Sequence, residues 1–301
     1  MSLNSACPPG IPGHLRAIDA HTGLFGVIGS PVGHSLSPVM HNAALRAMNW
    51  PAVYLAFPVT DPAGAITGMR SLGIGGLSVT IPHKVAIMAY LDDLDDLARR
   101  IGAVNTIVWR EGRLVGFNTD CFGAVAALKE KSGLRGKHVS LIGAGGAARA
   151  VGFGLMADGA RVTIFNRGAE KGAALAKALG SGFEPLANLA RHSGEILINT
   201  TSVGMLPDIR RSAVPSPALT RGMVVMDIVY NPLETQLLRD ARAAGCTLID
   251  GVSMFVHQGA RQLELWTGQT PPVRIMRDAV LDALATQANE GAPHGSNESN
   301  A

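Results

Sequence analysis

The sequence predicts a two-domain α/β protein whose second half forms a doubly wound parallel sheet. Three observations carry this expectation. Short apolar, β-branched runs alternate with stretches of helical periodicity along most of the chain. One run ends directly in a glycine-rich turn that opens a helix. The chain has 301 residues, 47% hydrophobic, with 36 glycines. That is enough for two domains at about 150 residues each, and it is rich in the residue that tight strand-to-helix turns use. The apolar fraction excludes an intrinsically disordered chain. Aromatic residues make up only 5%, and the formal charge of +3 is not gathered into a Lys/Arg run. Neither feature points to a nucleic-acid partner.

Residues 1–21 carry Pro8, Pro9, Gly10, Pro12 and Gly13 without an apolar core of signal-peptide length, and read as a flexible terminus. Residues 24–29 (LFGVIG) read as a buried strand, after which Ser37-Pro38 opens a helix through Met48. Residues 52–59 (AVYLAFPV) have the β-branched and aromatic character of a strand. Asp61 then reads as an N-cap with Pro62 at the first helical position. Residues 76–80 (GLSVT) form a short strand that ends at Pro82, where a helix is expected to begin. The acidic stretch 91–100 (LDDLDDLARR) reads as a solvated face. Residues 103–109 and 113–118 are strand-like around Glu111-Gly112, a hairpin turn.

A second pattern follows. Residues 122–131 are helical, and residues 138–142 (HVSLI) form a strand that runs into Gly143. Strands at 161–165, 196–199, 223–228 and 247–249 alternate with helical stretches, as in a parallel sheet. From Ser253 the chain is almost all helix, with Phe255, Gly259, Leu263 and Trp266 on one stripe. We therefore expect a discontinuous first domain of residues 22–120 and 253–287, a second domain of residues 121–252, and a flexible tail at 288–301. Cys7, Cys121 and Cys246 form no CxxC pair and are odd in number, which suits a reducing cytoplasm. No apolar stretch reaches membrane-spanning length, and the nine histidines lack metal-ligand spacing, so neither a membrane nor a metal is expected.

The turn GAGGAARA, residues 143–150, follows a strand and precedes a helical pattern. Gly143 suits the tight turn, Gly145 lets backbone approach a pyrophosphate, and Ala148 allows close helix–strand packing. The helix N-terminus would attract phosphate oxygens, so a dinucleotide site is expected. An NAD site places Asp or Glu about 20 residues on. Here the next strand ends in Asn166-Arg167, with Lys171 one turn further. A guanidinium there suits a 2′-phosphate, so NADP is the expected cofactor.

Three polar clusters sit at strand ends. GHSLSP (33–38) offers Ser35 and Ser37, although Ser37 also reads as an N-cap before Pro38. SVTIPHK (78–84) offers Thr80 and Lys84, and GFNTD (116–120) offers Asn118, Thr119 and Asp120. Taken singly, these are a surface lysine and an ordinary turn. Taken together, a Lys facing an Asp beside a nicotinamide could move the proton that accompanies hydride transfer at a carbonyl. The hydroxyl and amide groups could hold a hydroxylated carboxylic acid. Spacing alone does not bring these clusters together.

The order GHSLSPVMHNAAL, SVTIPHK, GAVNT, GFNTD, GAGGAAR, NR, NTTSVGM, DIVYNPLET and GVSMFVHQGA resembles the shikimate dehydrogenase family over residues 24–286. The resemblance implies an N-terminal α/β substrate domain, an NADP-binding Rossmann domain, and C-terminal helices that return to the first. It implies NADP-dependent interconversion of 3-dehydroshikimate and shikimate on the route to chorismate and the aromatic amino acids. By position, Lys84 and Asp120 match the catalytic pair, and Ser35 and Ser37 the hydroxyls that bind the substrate carboxylate. Thr80, Asn105, Asp120 and Gln258 match residues on the ring hydroxyls, and Tyr230 lines the pocket. Gly143, Ala144, Gly145, Gly146, Ala147, Asn166, Arg167 and Lys171 match the cofactor site, with Ile228, Gly251 and Met254 towards the nicotinamide. Without the resemblance, Gln258 reads as a solvent-facing polar residue and Met254 as core filler.

Two positions depart from the family pattern. Cys121 stands where Gly is common, and Gly168 where Thr often follows Asn-Arg. A dual quinate/shikimate dehydrogenase using NAD or NADP is the alternative; Ser35, Ser37 and Asn166-Arg167 lean away from it. A nucleotide sensor without catalysis does not need both Lys84 and Asp120. A methylenetetrahydrofolate dehydrogenase does not account for SVTIPHK together with GFNTD. The partners expected are small molecules, and the state a monomer or homodimer.

Overall fold

Each half of the chain builds its own six-stranded sheet. This computed structural model describes residues 18–290. The first sheet contains β1 (Gly23–Gly29), β2 (Ala52–Pro58), β3 (Gly76–Val79), β4 (Asp93–Leu94), β5 (Thr106–Arg110) and β6 (Arg113–Phe117). Helices α1 (Ser37–Ala47), α2 (Pro62–Ser71) and α3 (Asp96–Ile101) lie between them. The strand order is β2-β1-β3-β5-β6-β4. The strands joined through α1 and α2 are parallel, as crossover connections require. β5 and β6 are antiparallel because the connection between them is the tight turn at Glu111 and Gly112. Both residues have positive φ, 50° and 75°, which matches the twist of a hairpin.

The second sheet is parallel throughout. Its strands are β7 (His138–Ile142), β8 (Arg161–Asn166), β9 (Gly182–Pro185), β10 (Ile196–Asn199), β11 (Val224–Asp227) and β12 (Thr247–Ile249), in the order β12-β11-β10-β7-β8-β9. α4 (Asp120–Lys129) leads into it, and α5 (Gly146–Ala157), α6 (Ala169–Leu179) and α7 (Gln236–Ala243) connect its strands. The order reverses between β7 and β10, which opens a crevice at the carboxyl ends of those strands. β10 and β11 are buried along their whole length, so they read as continuous apolar runs rather than alternating ones.

The chain ends in α8 (Gly251–Thr267) and α9 (Val273–Glu290). Val252, Val256, Leu263, Met276, Val280 and Leu284 of these helices share one core with Phe25, Val27, Met40, Leu45 and Tyr54. The expected return of the C-terminal helices to the first sheet is therefore present. No helix among the described residues is long and apolar enough to cross a membrane.

Several local expectations need correction. No α-helix begins at Pro82; turns lead instead to a 3-10 helix over Ala86–Tyr90. The Lys84 carbonyl accepts from the Val104 amide at 2.7 Å, so it is not free for the bond that α-helix propagation needs. α1 is capped at Leu36 rather than Ser37, and the Ser37 amide instead donates to Ser35 Oγ at 3.2 Å. α4 begins at Asp120 rather than Phe122, which places a carboxylate where a helix N-terminus favours it. The acidic stretch is more than a solvated face: Asp95 caps α3, and Asp92 accepts from the Leu114 amide and pairs with Arg70. α9 runs on to Glu290, past Gln287. Of the two termini read as flexible, residues 1–17 and 291–301 lie outside the described residues. β4 and β9 were not expected.

α4 crosses α8 at Gly123. A Cβ there would lie 2.7 Å from the Met254 carbonyl oxygen and 2.8 Å from the Gln258 amide nitrogen. Neither backbone atom has room to move without shifting its helix. Gly123→Ala should therefore lower the free energy of unfolding by about 1–3 kcal/mol, as overpacking does. Urea unfolding tests this, and an unchanged midpoint would show that the crossing is looser than described.

Candidate active site

The polar clusters converge because the ends of the first sheet are in register. Ser78 of β3 lies opposite Thr106 of β5, and Thr106 opposite Phe117 of β6. Just beyond this row, Thr80 and Lys84 follow β3, Asn105 precedes β5, and Asp120 follows β6. β1 lies parallel beside β3, so the loop with Ser35 and Ser37 leaves from the same end.

Lys84 Nζ donates to Asp120 Oδ2 at 2.6 Å. The side chains are 30% and 15% exposed, so the pair is partly desolvated yet reachable from solvent. Asn105 Nδ2 donates to the other oxygen, Oδ1, at 2.8 Å, and to Thr119 Oγ1 at 3.0 Å. Asn105 Oδ1 accepts from the Thr119 amide at 2.7 Å. Because a backbone N–H can only donate, this contact fixes which end of the Asn105 amide faces Asp120. Asn118 Oδ1 accepts from the Asp120 amide at 3.1 Å and its Nδ2 donates to the Ala103 carbonyl at 3.0 Å. The lysine thus comes from the turn after β3 and the carboxylate from the first residue of α4, where the Asn105 and Asn118 side chains hold it.

Gln258 corrects its solvent-facing reading: it is 8% exposed. Its Oε1 lies 3.5 Å from both Asn105 Nδ2 and Thr119 Oγ1, and its Nε2 donates to the Phe255 carbonyl. Tyr230 stacks on Phe255 with centroids 4.9 Å apart, and burial pushes its phenol pKa upward. Ser35, Ser37, Thr80 and Tyr230 make no side-chain hydrogen bond to the Lys84–Asp120 group among the described residues. Cys121 is accommodated. Its Sγ donates to the Asn118 carbonyl at 3.0 Å, and burial pushes the thiol to about 12, so it stays protonated as a donor.

At the carboxyl end of β7, Gly143 has φ 112°, and a Cβ there would lie 2.8 Å from Thr200 Oγ1. Only glycine makes this turn. Around Gly145 and Gly146 a Cβ would meet no atom within 4 Å, so the backbone faces open space. Gly145 caps α5 without a side-chain bond, which leaves the first N–H groups of that helix for an anion. Ala144 and Ala147 are half-buried in the same turn. After β8, Asn166 Nδ2 donates to the Gly168 carbonyl at 2.9 Å and shapes the next turn. Arg167 and Lys171 are exposed there, and neither is paired with a carboxylate among the described residues. This arrangement fits a dinucleotide that carries an additional phosphate. Ile228 is half-buried beyond β11. Gly251 packs so closely on the Val229 carbonyl that a Cβ would lie 2.4 Å from its oxygen. Met254 is 8% exposed and belongs to the core between α4 and the second sheet, the core-filler place.

Comparison with known proteins gives this geometry a family. Residues 27–107 match the family model of the shikimate dehydrogenase substrate binding domain, residues 125–232 that of shikimate / quinate 5-dehydrogenase, and residues 251–281 that of the shikimate 5'-dehydrogenase C-terminal domain. A shikimate dehydrogenase (NADP(+)) of Geobacillus kaustophilus is 46% identical over 273 residues, covering 87% of this chain and 98% of the relative. The chain belongs to the shikimate dehydrogenase family. Among solved structures, shikimate 5-dehydrogenase from Thermus thermophilus, in complex with NADP(H) and shikimate, superposes with a TM-score of 0.81 at 39% identity, covering 87% of this chain and all of that one. Quinate dehydrogenase from Corynebacterium glutamicum, in complex with NAD, gives 0.80 at 31% identity, covering 87% and 99%.

Within this family member, one buried carboxylate lies outside the candidate residues of the sequence, although its segment, DIVYNPLET, is one of those that carry the resemblance. Asp227 closes β11 and is fully buried. It accepts from Asn199 Nδ2 at 2.9 Å, the Val229 amide at 3.1 Å and Thr235 Oγ1 at 2.7 Å. It ties the turn after β10 to the segment that carries Ile228 and Tyr230. Thr106 and Gln262 were also missed. The signal for Gln262 was its spacing of one helical turn from Gln258.

Burial pushes the Asp227 carboxyl up to about 6 from 3.8, against the pull of its three donors. The folded protein therefore binds this proton more tightly than the unfolded chain. The unfolding free energy falls through this group as pH rises from about 4 to 6. Asp227→Asn keeps the amide-sized shape and removes the charge, with the Thr235 hydroxyl turning to accept. Its stability relative to the parent should rise by up to about 3 kcal/mol between pH 4 and pH 7. Denaturant unfolding across that range checks this; parallel curves would refute it.

Proposed function

We propose that this protein catalyses the reversible, NADPH-dependent reduction of 3-dehydroshikimate to shikimate in the pathway to chorismate and the aromatic amino acids. The observation that carries the reading is the Lys84–Asp120 pair at 2.6 Å, set at the same end of the first sheet as a row of hydroxyl and amide groups. The substrate domain is residues 22–120 with 253–287, and the cofactor domain residues 121–252. Ser35 and Ser37 bind the substrate carboxylate. Thr80, Asn105, Asp120 and Gln258 bind the ring hydroxyls, and Tyr230 closes the pocket. Gly143, Ala144, Gly145, Gly146 and Ala147 cradle the pyrophosphate, and Asn166, Arg167 and Lys171 receive the 2′-phosphate. Ile228, Gly251 and Met254 border the nicotinamide.

When bound, NADPH supplies the hydride. Lys84 donates a proton to the oxygen on which negative charge develops, and its cationic Nζ stabilises that charge beforehand. Asp120 holds Lys84 in place and accepts from a ring hydroxyl. Asn105 fixes the Asp120 carboxylate from the opposite oxygen. In the reverse direction the neutral amine of Lys84 takes the hydroxyl proton. Small molecules are the partners, and the enzyme acts in the cytoplasm as a monomer or homodimer, without nucleic acid or membrane. A dual quinate/shikimate activity is the second reading, favoured by the likeness to the Corynebacterium glutamicum quinate dehydrogenase.

Initial rates on shikimate and quinate, each with NADP and NAD, separate the two readings. Shikimate with NADP should exceed every other combination by at least about tenfold in kcat/KM, a difference of about 1.4 kcal/mol in transition-state binding. Comparable rates on quinate would favour the second. Lys84→Ala should lower kcat by about 10²- to 10⁴-fold, with little change in the KM for shikimate. Near-normal turnover would remove Lys84 from the chemistry. Arg167→Ala should raise the KM for NADP and leave that for NAD nearly unchanged; equal effects would show that Arg167 does not read the 2′-phosphate.

A further inference from the structure

Behind the site, a chain of buried polar side chains crosses the first sheet and ends on Asp120. Tyr54 OH donates to Ser78 Oγ at 2.7 Å, and Ser78 Oγ donates to Gln262 Oε1 at 2.9 Å. Gln262 Nε2 donates to the Asn105 carbonyl at 3.1 Å and to Thr106 Oγ1 at 3.0 Å. Thr106 Oγ1 donates to Asn105 Oδ1 at 2.7 Å. The Asn105 amide then donates to Asp120. Tyr54, Ser78, Gln262, Thr106 and Asn105 are all at most 5% exposed, so none of these groups has water as an easy substitute partner.

The direction of every bond in this chain is set by groups that act one way only. The Asn105 carbonyl can only accept, so the nitrogen of Gln262 faces it and the oxygen faces Ser78. The Thr119 amide can only donate, so Asn105 Oδ1 faces it and Nδ2 faces Asp120. Each proton therefore points from Tyr54 towards the carboxylate, an arrangement in which neighbouring bonds polarise one another. His41 stacks on Tyr54 with centroids 4.3 Å apart, covering the ring whose hydroxyl begins the series.

We propose that Gln262 and Thr106 are positioning residues for substrate recognition. Asn105 Nδ2 meets Thr119, Asp120 and, more distantly, Gln258, and Oδ1 accepts from the Thr119 amide and from Thr106 Oγ1 at 2.7 Å each, with Thr119 Oγ1 further off at 3.2 Å. Thr106 is the donor to Oδ1 that comes from outside the Thr119–Asp120 turn, and Gln262 holds both Thr106 and the Asn105 backbone. Gln262 thereby acts at a distance on the group that meets a substrate hydroxyl. This inference rests on the assignment of Asn105 to substrate binding made above.

Steady-state kinetics with shikimate and NADP, on Gln262→Leu, Thr106→Val, Thr106→Ser and Asn105→Ala, test it. A contact made equally in the ground and transition states is lost as KM and not as kcat. Gln262→Leu and Thr106→Val should raise the KM for shikimate about tenfold, the equivalent of one misplaced hydrogen bond. Their kcat should fall by a smaller factor than the KM rises, because Lys84 keeps its own bond to Asp120 Oδ2, and their KM for NADP should stay unchanged. Thr106→Ser restores the hydroxyl and should restore the parent KM, which keeps the test intact if Gln262→Leu fails to fold. The proposal is overturned if Asn105→Ala raises KM while folded Thr106→Val does not. It is also overturned if the KM for NADP rises in step, which is the mark of general loosening. An unchanged KM in Asn105→Ala would overturn the assignment of Asn105 itself, and this proposal with it.

Discussion

The close crossing of α4 with two neighbouring helices is the constraint on which the other features depend. α4 starts with Asp120 and touches α8 through Gly123. α5 in turn approaches α4 through Gly154, where a Cβ would lie 2.9 Å from the Cys121 carbonyl oxygen. These are backbone-to-backbone contacts, with no long side chain between the helices to absorb a displacement. α5 opens at the glycine turn, and α8 carries Gln258 and Gln262. The carboxylate, the glycine turn and the buried amides are thus referred to one helix. Cys121 occupies the narrow place between α4 and α5 with its thiol turned to the Asn118 carbonyl, so the extra atoms do not push the helices apart.

The two sheets divide the work according to how polar their ends are. The first sheet presents a dense set of side-chain donors and acceptors at one end, where Lys84 and Asp120 meet at intermediate exposure. An ion pair in such a place is weak support for stability. It does hold a cation and an anion side by side within reach of solvent. The second sheet presents mainly backbone: a turn of three glycines, an uncapped helix end and two exposed cations beyond β8. The Asp227 cluster is the exception, a buried charge that fastens two rim segments together instead of facing outward.

Much of this architecture was legible in the chain, and the failures have physical causes. The strands from β7 to β12 were readable wherever burial on both faces leaves a short, mostly apolar run, as in residues 138–142 and 196–199. β9 escaped because three of its four residues are exposed at the sheet edge, so it has no apolar pattern. Pro82 suggested a helix start, but the Lys84 carbonyl is claimed by Val104 from a distant part of the sequence, and no local rule reports such a bond. Gln258 illustrates the same limit. On a mostly apolar helix it looked like a solvent-facing residue, because the amide and hydroxyl it meets, on Asn105 and Thr119, come from well over a hundred residues earlier in the chain. Asp227 had a readable motif, but its burial depends on Asn199 and Thr235 arriving together.

The core that joins α1 and β1 to α8 and α9 also bears on how the protein is made. During synthesis Met40 and Leu45 leave the ribosome early, whereas Met276, Val280 and Leu284, which share their core, follow only after the whole second sheet. At about 5–20 residues per second, the interval is tens of seconds. Throughout it the nascent first sheet shows an uncovered apolar face, while the second sheet has its own core and helices to hand. The later-encoded sheet is therefore placed to mature before the earlier one, whose covering helices are the last part of the chain to arrive.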